Sequence, residues 1–144
     1  GICDDIDDCI DIDNDSICDD VDSCIPGVVL WNECYNIDEI IYLYLQNSGL
    51  NGEIPPEIES LINLKHLYLN GNQLTGGIPS EIGNLTYLKF FRLHDNQLSG
   101  VIPSEICNLT NLEILLLGGN QLCPPYPECL TPGEIGSQDT SNCP

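Results

Sequence analysis

The chain of 144 residues has very few basic side chains. Lys and Arg together number three, against 23 Asp and Glu, and the formal net charge is −20. Nucleic-acid phosphates and anionic membrane surfaces are both recognised by clustered cations. The scarcity of cations therefore excludes nucleic-acid binding as the main function and argues against docking on an anionic membrane. Acidity on this scale favours solubility, cation binding, or both.

Long apolar runs are also missing. A membrane-spanning helix needs about 20 consecutive apolar residues, and the longest near-candidate, 40–45, is short and contains tyrosines. We therefore expect no membrane insertion. Nine cysteines, by contrast, are many for this length and indicate a secreted or cell-surface protein in an oxidising compartment. Because the chain begins at Gly1 in the middle of a motif, we expect a mature protein or a fragment of a longer secreted one.

Residues 1–24 differ in composition from the rest of the chain. They hold ten of the 23 acidic residues, and the stretch 2–9 is echoed by 17–24. Six residues fall at positions 1, 3, 5, 7, 9 and 12 of a twelve-residue loop: Asp11, Asp13, Asp15, Ile17, Asp19 and Asp22. Calcium takes about six to eight oxygen ligands, and this spacing would supply carboxylates and the Ile17 carbonyl. The segment is therefore a candidate calcium site.

This acidic pattern resembles the calcium repeats of thrombospondin type 3 arrays. The resemblance implies a stalk fragment over 1–24 that calcium stiffens. It also implies that the cysteine ending one repeat pairs with the next cysteine along the chain. The implied bonds join Cys9 to Cys18 and Cys24 to Cys34, and they leave Cys3 without a partner in the chain. The alternative, an acidic disordered linker, stays open.

Residues 37–122 repeat with a period of 24. The cores of the copies run over 64–74, 88–98 and 112–122, with a degenerate first copy at 40–50, and Gly-x-Ile-Pro follows the first three of these four cores. One such repeat cannot bury its apolar face alone, but stacked repeats share a core. We predict that positions 1, 4, 6 and 11 of each copy face inward and that positions 3–5 form a strand paired in parallel. Asn72, Asn96 and Asn120 are expected to form a ladder of buried, hydrogen-bonded amides.

The repeat resembles the plant-type, extracellular leucine-rich repeat family. The resemblance implies an α/β-class, mostly β repeat solenoid: a short array with a parallel concave sheet and disulfide-capped ends, preceded by the acidic calcium loop. The corresponding segments are 1–24 for the stalk, 25–36 for an N-terminal cap, 37–122 for the repeats, and 123–144 for a C-terminal cap and tail. The resemblance implies that Trp31, in the N-terminal cap, covers the first repeat. The resemblance also implies a bond between Cys123 and Cys129, which leaves Cys107 for Cys143, although four cysteines allow three pairings.

Strand positions 2, 3, 5, 7 and 8 would face outward on the concave side of such a sheet. This set includes every basic residue and both histidines of the chain. The predicted ligand-binding residues are Tyr42, Tyr44, Lys65, His66, Tyr68, Lys89, Phe90, Arg92, His94 and Leu116. Exposed aromatic rings beside Arg are typical of interface hot spots. The alternative is that aromatic residues simply suit strands and that the cations offset the surrounding acids.

The sequence favours a binding protein over an enzyme, because no catalytic nucleophile signature is present and carboxylates are few on the concave side. The leading hypothesis is an extracellular module that recognises a protein, peptide or glycan. A second is a spacer or adhesion segment with no specific ligand. A third, an inhibitor of a cell-wall-degrading enzyme, comes only from the family resemblance.

Three Asn-x-Ser/Thr sequons begin at Asn14, Asn84 and Asn108. Sugar on Asn84 or Asn108 is possible in a eukaryotic secretory host. Repeat consensus explains the Asn-Leu-Thr triplets equally well, so the sequence leaves the choice open.

Overall fold

The structure is a computed structural model and describes residues 27–144. The strands are β1 (Gly27–Leu30), β2 (Glu33–Asn36), β3 (Tyr42–Tyr44), β4 (Asn51–Glu53), β5 (His66–Tyr68), β6 (Gln73–Thr75), β7 (Phe90–Arg92), β8 (Ser99–Val101), β9 (Ile114–Leu116) and β10 (Gln121–Cys123). Three 3₁₀ helices span Pro56–Ser60, Ser80–Asn84 and Ser104–Asn108, and α1 spans Pro132–Ile135. The predicted calcium loop and Cys3, Cys9, Cys18 and Cys24 lie outside the described residues.

The largest sheet of the described residues has four parallel strands in the order β3-β5-β7-β9. Its register aligns Leu43, Leu67, Phe91 and Leu115 across the strands. These central residues are at most 4% exposed. Because successive side chains of a strand point to opposite faces, their flanking residues point away from the core. The predicted parallel strand at positions 3–5 of each copy is confirmed.

The core fills the space between this sheet and the 3₁₀ helices. Leu64, Leu67, Leu69 and Leu74, at positions 1, 4, 6 and 11 of the second copy, have no exposed surface. Residues at the same positions of the third copy, with Phe91 in place of a leucine, are equally buried. The helices add one isoleucine each, such as Ile82. The predicted inward positions are therefore confirmed for these copies.

Buried asparagines connect consecutive turns of the chain. Asn96 Nδ2 donates to the Leu69 carbonyl of the preceding turn at 2.9 Å and to Leu93 O at 3.0 Å. Its Oδ1 accepts from Leu74 N at 3.1 Å. Asn72 and Asn120 repeat the arrangement one turn earlier and one turn later. The predicted amide ladder is confirmed, and it pairs backbone groups that would otherwise be buried without partners.

The ladder continues beyond the last repeat through Gln138, which the sequence pattern does not predict. Gln138 Nε2 donates to Leu117 O at 2.8 Å and to Ile135 O at 2.7 Å. Its Oε1 accepts from Leu122 N at 3.0 Å. The tail that carries Gln138 also bonds the outer edge of the last turn, since Leu117 N donates to Glu134 O at 2.9 Å. The tail thus closes the C-terminal end of the sheet.

An antiparallel hairpin, β1–β2, precedes the first repeat. Trp31 packs against the hydrophobic core, and its Nε1 donates to Glu53 O at 3.2 Å. This confirms that Trp31 covers the first repeat. Tyr35 is buried in the same hairpin, and its hydroxyl donates to Glu33 Oε2 at 2.8 Å. Burial, and then the Glu33 carboxylate, raise the pKa of Tyr35 well above its ordinary value.

The C-terminal disulfides differ from the predicted pairing. The structure joins Cys107 to Cys129 and Cys123 to Cys143, so the predicted Cys123–Cys129 and Cys107–Cys143 bonds are wrong. The physical reason is how deeply each cysteine is buried. Cys123 is buried in β10 and meets the partly buried Cys143, whereas Cys107 and Cys129 are both exposed.

Within the described residues, Cys34 of the hairpin forms no disulfide bond. Its predicted partner, Cys24, lies outside that part, so the bond between them stays a prediction. Within residues 27–144, no helix is long and apolar enough to cross a membrane.

Candidate binding face

The concave face is the outward side of the four-stranded sheet, and its side chains form two rows. The first row is Tyr42, His66, Phe90 and Ile114, and the second is Tyr44, Tyr68, Arg92 and Leu116. Adjacent strands lie about 4.8 Å apart, so neighbours within a row are in contact. The register therefore brings together seven of the ten side chains predicted to bind a ligand.

Five ring-bearing residues make one continuous cluster, here called the aromatic patch: Tyr42, Tyr44, His66, Tyr68 and Phe90. His66 lies between Tyr42 and Phe90, with ring centroids 4.6 and 4.5 Å away and interplanar angles of 66° and 64°. These edge-to-face arrangements suit the charge distribution of aromatic rings. Tyr44 joins the patch through Tyr68, at 4.9 Å between centroids, and through a 2.8 Å hydrogen bond between its hydroxyl and His66 Nδ1.

The aromatic patch is unevenly covered. His66, Tyr68 and Phe90 are half-buried by their neighbours, whereas Tyr42 and Tyr44 keep 52% and 50% of their surface exposed. Mutual packing across strands accounts for the half-buried rings. It does not cover the two tyrosines, and contiguous exposed apolar surface is typical of interaction sites.

The three cations of the chain lie on this same surface. Lys65 and Lys89 directly precede β5 and β7 and are neighbours, since Lys89 N donates to Lys65 O at 2.8 Å. Arg92 ends β7, and its Cζ lies 4.4 Å from the centroid of the Tyr68 ring. Such a cation–π contact holds the guanidinium against the patch.

The three cations differ in how far they are neutralised. Lys89 Nζ forms an ion pair of 3.1 Å with Glu113 Oε1, and both side chains are exposed. Within the described residues, neither Lys65 nor Arg92 forms an ion pair. Lys65 and Arg92 are therefore the cations that remain available to an anionic group of a ligand.

Three buried polar atoms of Arg92 and its neighbours on the sheet have no hydrogen-bond partner within residues 27–144. They are Asn70 Oδ1, Arg92 Nε and His94 Nδ1. Asn70 and His94 lie on consecutive turns, and Gly71 N donates to His94 O at 3.1 Å. A buried polar group without a partner costs about 1–3 kcal/mol. This end of the concave face consequently contains buried polar atoms whose hydrogen-bonding cost is not offset within the described residues.

A groove that the sequence pattern does not predict adjoins Lys65. It has a volume of about 370 Å³, and Lys65, Ile41, Tyr87, Asp38 and Asn63 line it. Tyr87 is 58% exposed. Asn63 and Tyr87 each directly precede the first leucine of a copy, a position that the repeat pattern does not assign to the concave side. Because they are 24 residues apart, the period alone could have predicted that they lie on adjacent turns.

The face offers apolar contact, hydrogen bonding and cations. Within the described part of the chain, no group of three or more His, Cys, Asp or Glu side chains is placed to hold a metal ion. Apolar contact, hydrogen bonds and cations are the interactions with which a protein surface contacts a ligand.

Comparison with known proteins agrees with this geometry. Three segments, 39–61, 63–85 and 87–109, match the family model described as Leucine Rich Repeat. These segments coincide with the stacked turns that carry the parallel sheet and the amide ladder. The fold is a leucine-rich repeat solenoid.

Several solved structures share this leucine-rich repeat architecture. The BIR3–SERK2 complex from Arabidopsis thaliana contains a chain that is 41% identical, with a TM-score of 0.58, over 61% of this chain and 48% of that chain. The plant peptide hormone receptor RGFR1 in complex with RGF2 is 32% identical, with a TM-score of 0.60, over 66% of this chain and 15% of the receptor. The Arabidopsis receptor kinase HAESA, in complex with the peptide hormone IDA and the co-receptor SERK1, is 38% identical, with a TM-score of 0.57, over 58% of this chain and 14% of that chain.

The chain thus spans about half the length of the first of these relatives and about a seventh of the other two. A comparison with curated proteins found no significant match. This chain is thus similar to a part of each of these plant proteins, two of which are receptors solved with a bound partner.

Proposed function

We propose that this chain is an extracellular recognition module whose concave face binds a short, acidic peptide segment of a partner. The observation that carries the proposal is the continuity between the half-exposed aromatic patch and the cations Lys65 and Arg92. The similarity to receptors solved with the peptide hormones RGF2 and IDA supports the choice of a peptide and of an extracellular location.

The size of the face supports a small ligand. Four strands at about 4.8 Å spacing make a surface roughly 15 Å wide. A standard protein–protein interface covers about 800 Å² on each partner. A peptide crossing the strands can cover Tyr42 and Tyr44 with apolar side chains while an acidic side chain pairs with Arg92.

Selection from a displayed library of random peptides tests the proposal. We expect the enriched peptides to carry Asp or Glu next to apolar residues, since apolar contact and one charge pair are what the face offers. The triple variant Tyr68→Ala, Phe90→Ala, Arg92→Ala should lose at least tenfold in affinity for them and keep its folded circular dichroism spectrum.

The matched control is Val101→Ala, which shortens another exposed apolar side chain, 59% exposed, in β8 outside the concave sheet. It should bind the selected peptides as the unmodified chain does. Equal binding by the triple variant would contradict the proposal and favour the spacer or adhesion role. If the chain bound sugars on a glycan array and no peptide were enriched, the ligand would be a sugar and not a peptide.

The hypothesis of an inhibitor of a cell-wall-degrading enzyme stays a prediction. Its direct test is inhibition of a polygalacturonase by the chain. Inhibition that survives the triple substitution would place that activity on a surface other than the concave face.

We further propose that residues 1–24 bind calcium through Asp11, Asp13, Asp15, Ile17, Asp19 and Asp22. The alternation of carboxylates in the sequence supports this assignment. Calorimetric titration with calcium should show binding that Asp13→Asn with Asp15→Asn abolishes. Chelation should leave the melting of the repeats unchanged, and loss of the repeat core on chelation would contradict the division between stalk and array.

A further inference from the structure

The convex side of the array carries two exposed asparagines at equivalent places in consecutive turns. Asn84 ends the second 3₁₀ helix and Asn108 ends the third. Each begins an Asn-Leu-Thr triplet, and Thr86 and Thr110 are also exposed. The first helix ends in Ser60 at the same place, so the feature is restricted to the second and third turns.

The leucine between each pair explains how both polar residues reach solvent. Leu85 and Leu109 are 0% and 4% exposed, and each terminates its helix with its backbone N–H donated to the isoleucine three residues earlier. With the leucine anchored in the core, the asparagine before it and the threonine after it are held outside. The core thus uses the leucine, while the Asn and Thr residues on either side of it lie at the surface.

The two amides differ in their contacts. Asn84 Nδ2 donates to Glu59 Oε2 at 2.7 Å. Asn108 makes no side-chain hydrogen bond within residues 27–144. The exposed Asn108 amide therefore differs from the buried, bonded Asn96, whose side chain holds two turns together.

We propose that Asn84 and Asn108 are acceptors of N-linked glycans in a eukaryotic secretory pathway. In the transfer, the amide Nδ2 forms a bond to the anomeric carbon of a lipid-linked oligosaccharide diphosphate. The bond from that carbon to the diphosphate oxygen breaks, and the amide releases one proton. Both acceptors point away from the core, so the folded chain accommodates the sugar without repacking.

The consequence is a division of the surface into two sides. The 3₁₀ helices and the concave sheet lie on opposite sides of a core that includes the fully buried Ile82 and Leu67. Sugars on the second and third turns would cover the convex side and leave the concave face free. Partners would then have access to the concave face, the loop edges and the first turn.

Expression of the full 144-residue chain, with a secretion signal, in a eukaryotic host tests the assignment. Treatment with peptide N-glycosidase F converts each sugar-bearing Asn to Asp, and peptide mass spectrometry identifies the position. This separates Asn84 and Asn108 from the third sequon at Asn14. We expect conversion at both positions. A secreted chain in which one of them is unmodified in every molecule would overturn the assignment for that residue.

Thr110→Val and Thr86→Val should each remove one glycan, since they destroy the sequon while keeping the asparagine. Thr110→Ser is the matched control, because it preserves the sequon and should keep the sugar. If a valine variant is not secreted, Asn108→Gln or Asn84→Gln gives the same test. Peptides selected on the unglycosylated chain should bind the glycosylated one with unchanged affinity, and a tenfold loss would contradict the placement of the sugars away from the concave face.

Discussion

Tyr44 and His66 lie on adjacent strands of the concave sheet and share a hydrogen bond of 2.8 Å between the Tyr44 hydroxyl and His66 Nδ1. Either the hydroxyl donates to Nδ1 of a ring protonated at Nε2, or a ring protonated at Nδ1 donates to the hydroxyl oxygen. We predict the first arrangement. We expect nitrogen-15 NMR of the histidine ring to show that tautomer. Tyr44→Phe should shift the population toward the other tautomer, and an unchanged spectrum would contradict the assigned donor.

Replacing Asn96 by Ala should destabilise the array by about 3 kcal/mol or more. The change leaves Leu69 O, Leu93 O and Leu74 N buried without the partner that the amide provides. Urea unfolding measures the loss. Asn111→Ala is the matched control, because Asn111 is exposed and its side chain donates only to Thr86 O. It should cost about 1 kcal/mol or less, and equal losses would refute the special role of the ladder.

Gln138→Ala should loosen the C-terminal end. It removes two donations, to Leu117 O and Ile135 O, and one acceptance, from Leu122 N. We expect about 2 kcal/mol of destabilisation and faster hydrogen exchange at Leu122. Gln121→Ala removes a side chain of the same type that forms no hydrogen bond within the described residues, and should change exchange at Leu122 little. Slow exchange in the Gln138 variant would contradict the capping role.

Peptide mapping without reduction should recover Cys107 bonded to Cys129 and Cys123 bonded to Cys143. The bonds span 22 and 20 residues, and closing loops of this size stabilises a protein by roughly 3 kcal/mol each. The double variant Cys107→Ala, Cys129→Ala should therefore lower the unfolding free energy by about that amount. Recovery of Cys123 with Cys129 would refute the pairing.

Stability should fall at alkaline pH through Tyr35. Burial and the Glu33 carboxylate raise the pKa of this phenol above its ordinary value of 10.0. The unfolded chain loses the proton first, so the stabilisation is complete below about pH 10 and is lost as the pH rises from there through the folded pKa. Tyr35→Phe should flatten this decline in the free energy of unfolding above pH 10. An equal decline in the variant would assign the effect to other groups.

The 24-residue period was enough to predict the parallel strands, the buried leucines and the asparagine ladder, because each turn repeats one set of contacts. It could not predict Gln138, which lies outside the period and replaces an asparagine with a longer side chain reaching back from the tail. The disulfide pairing, which came from the family resemblance, was wrong. The period does not cover Cys129 or Cys143, and the burial of Cys123 in β10 beside the partly buried Cys143 decides the bond.

The two rows of the concave face could be predicted from the sequence, but the ion pair and the groove beside them could not. The period places Tyr44, Tyr68 and Arg92 side by side. It does not say that Glu113 pairs with Lys89 or that Tyr87 borders a groove with Lys65, because those contacts depend on side-chain conformation and on loop positions.

The closed end of the sheet has a consequence for how such an array changes length. The backbone of Glu134 and Ser137 accepts the N–H groups of Leu117 and Gly119, and Gln138 completes the last rung. A repeat appended after the tail would find no free hydrogen-bonding edge to extend. At this end, lengthening the array therefore requires that whole 24-residue units be inserted before the tail, where a new turn can form hydrogen bonds with a turn on each side.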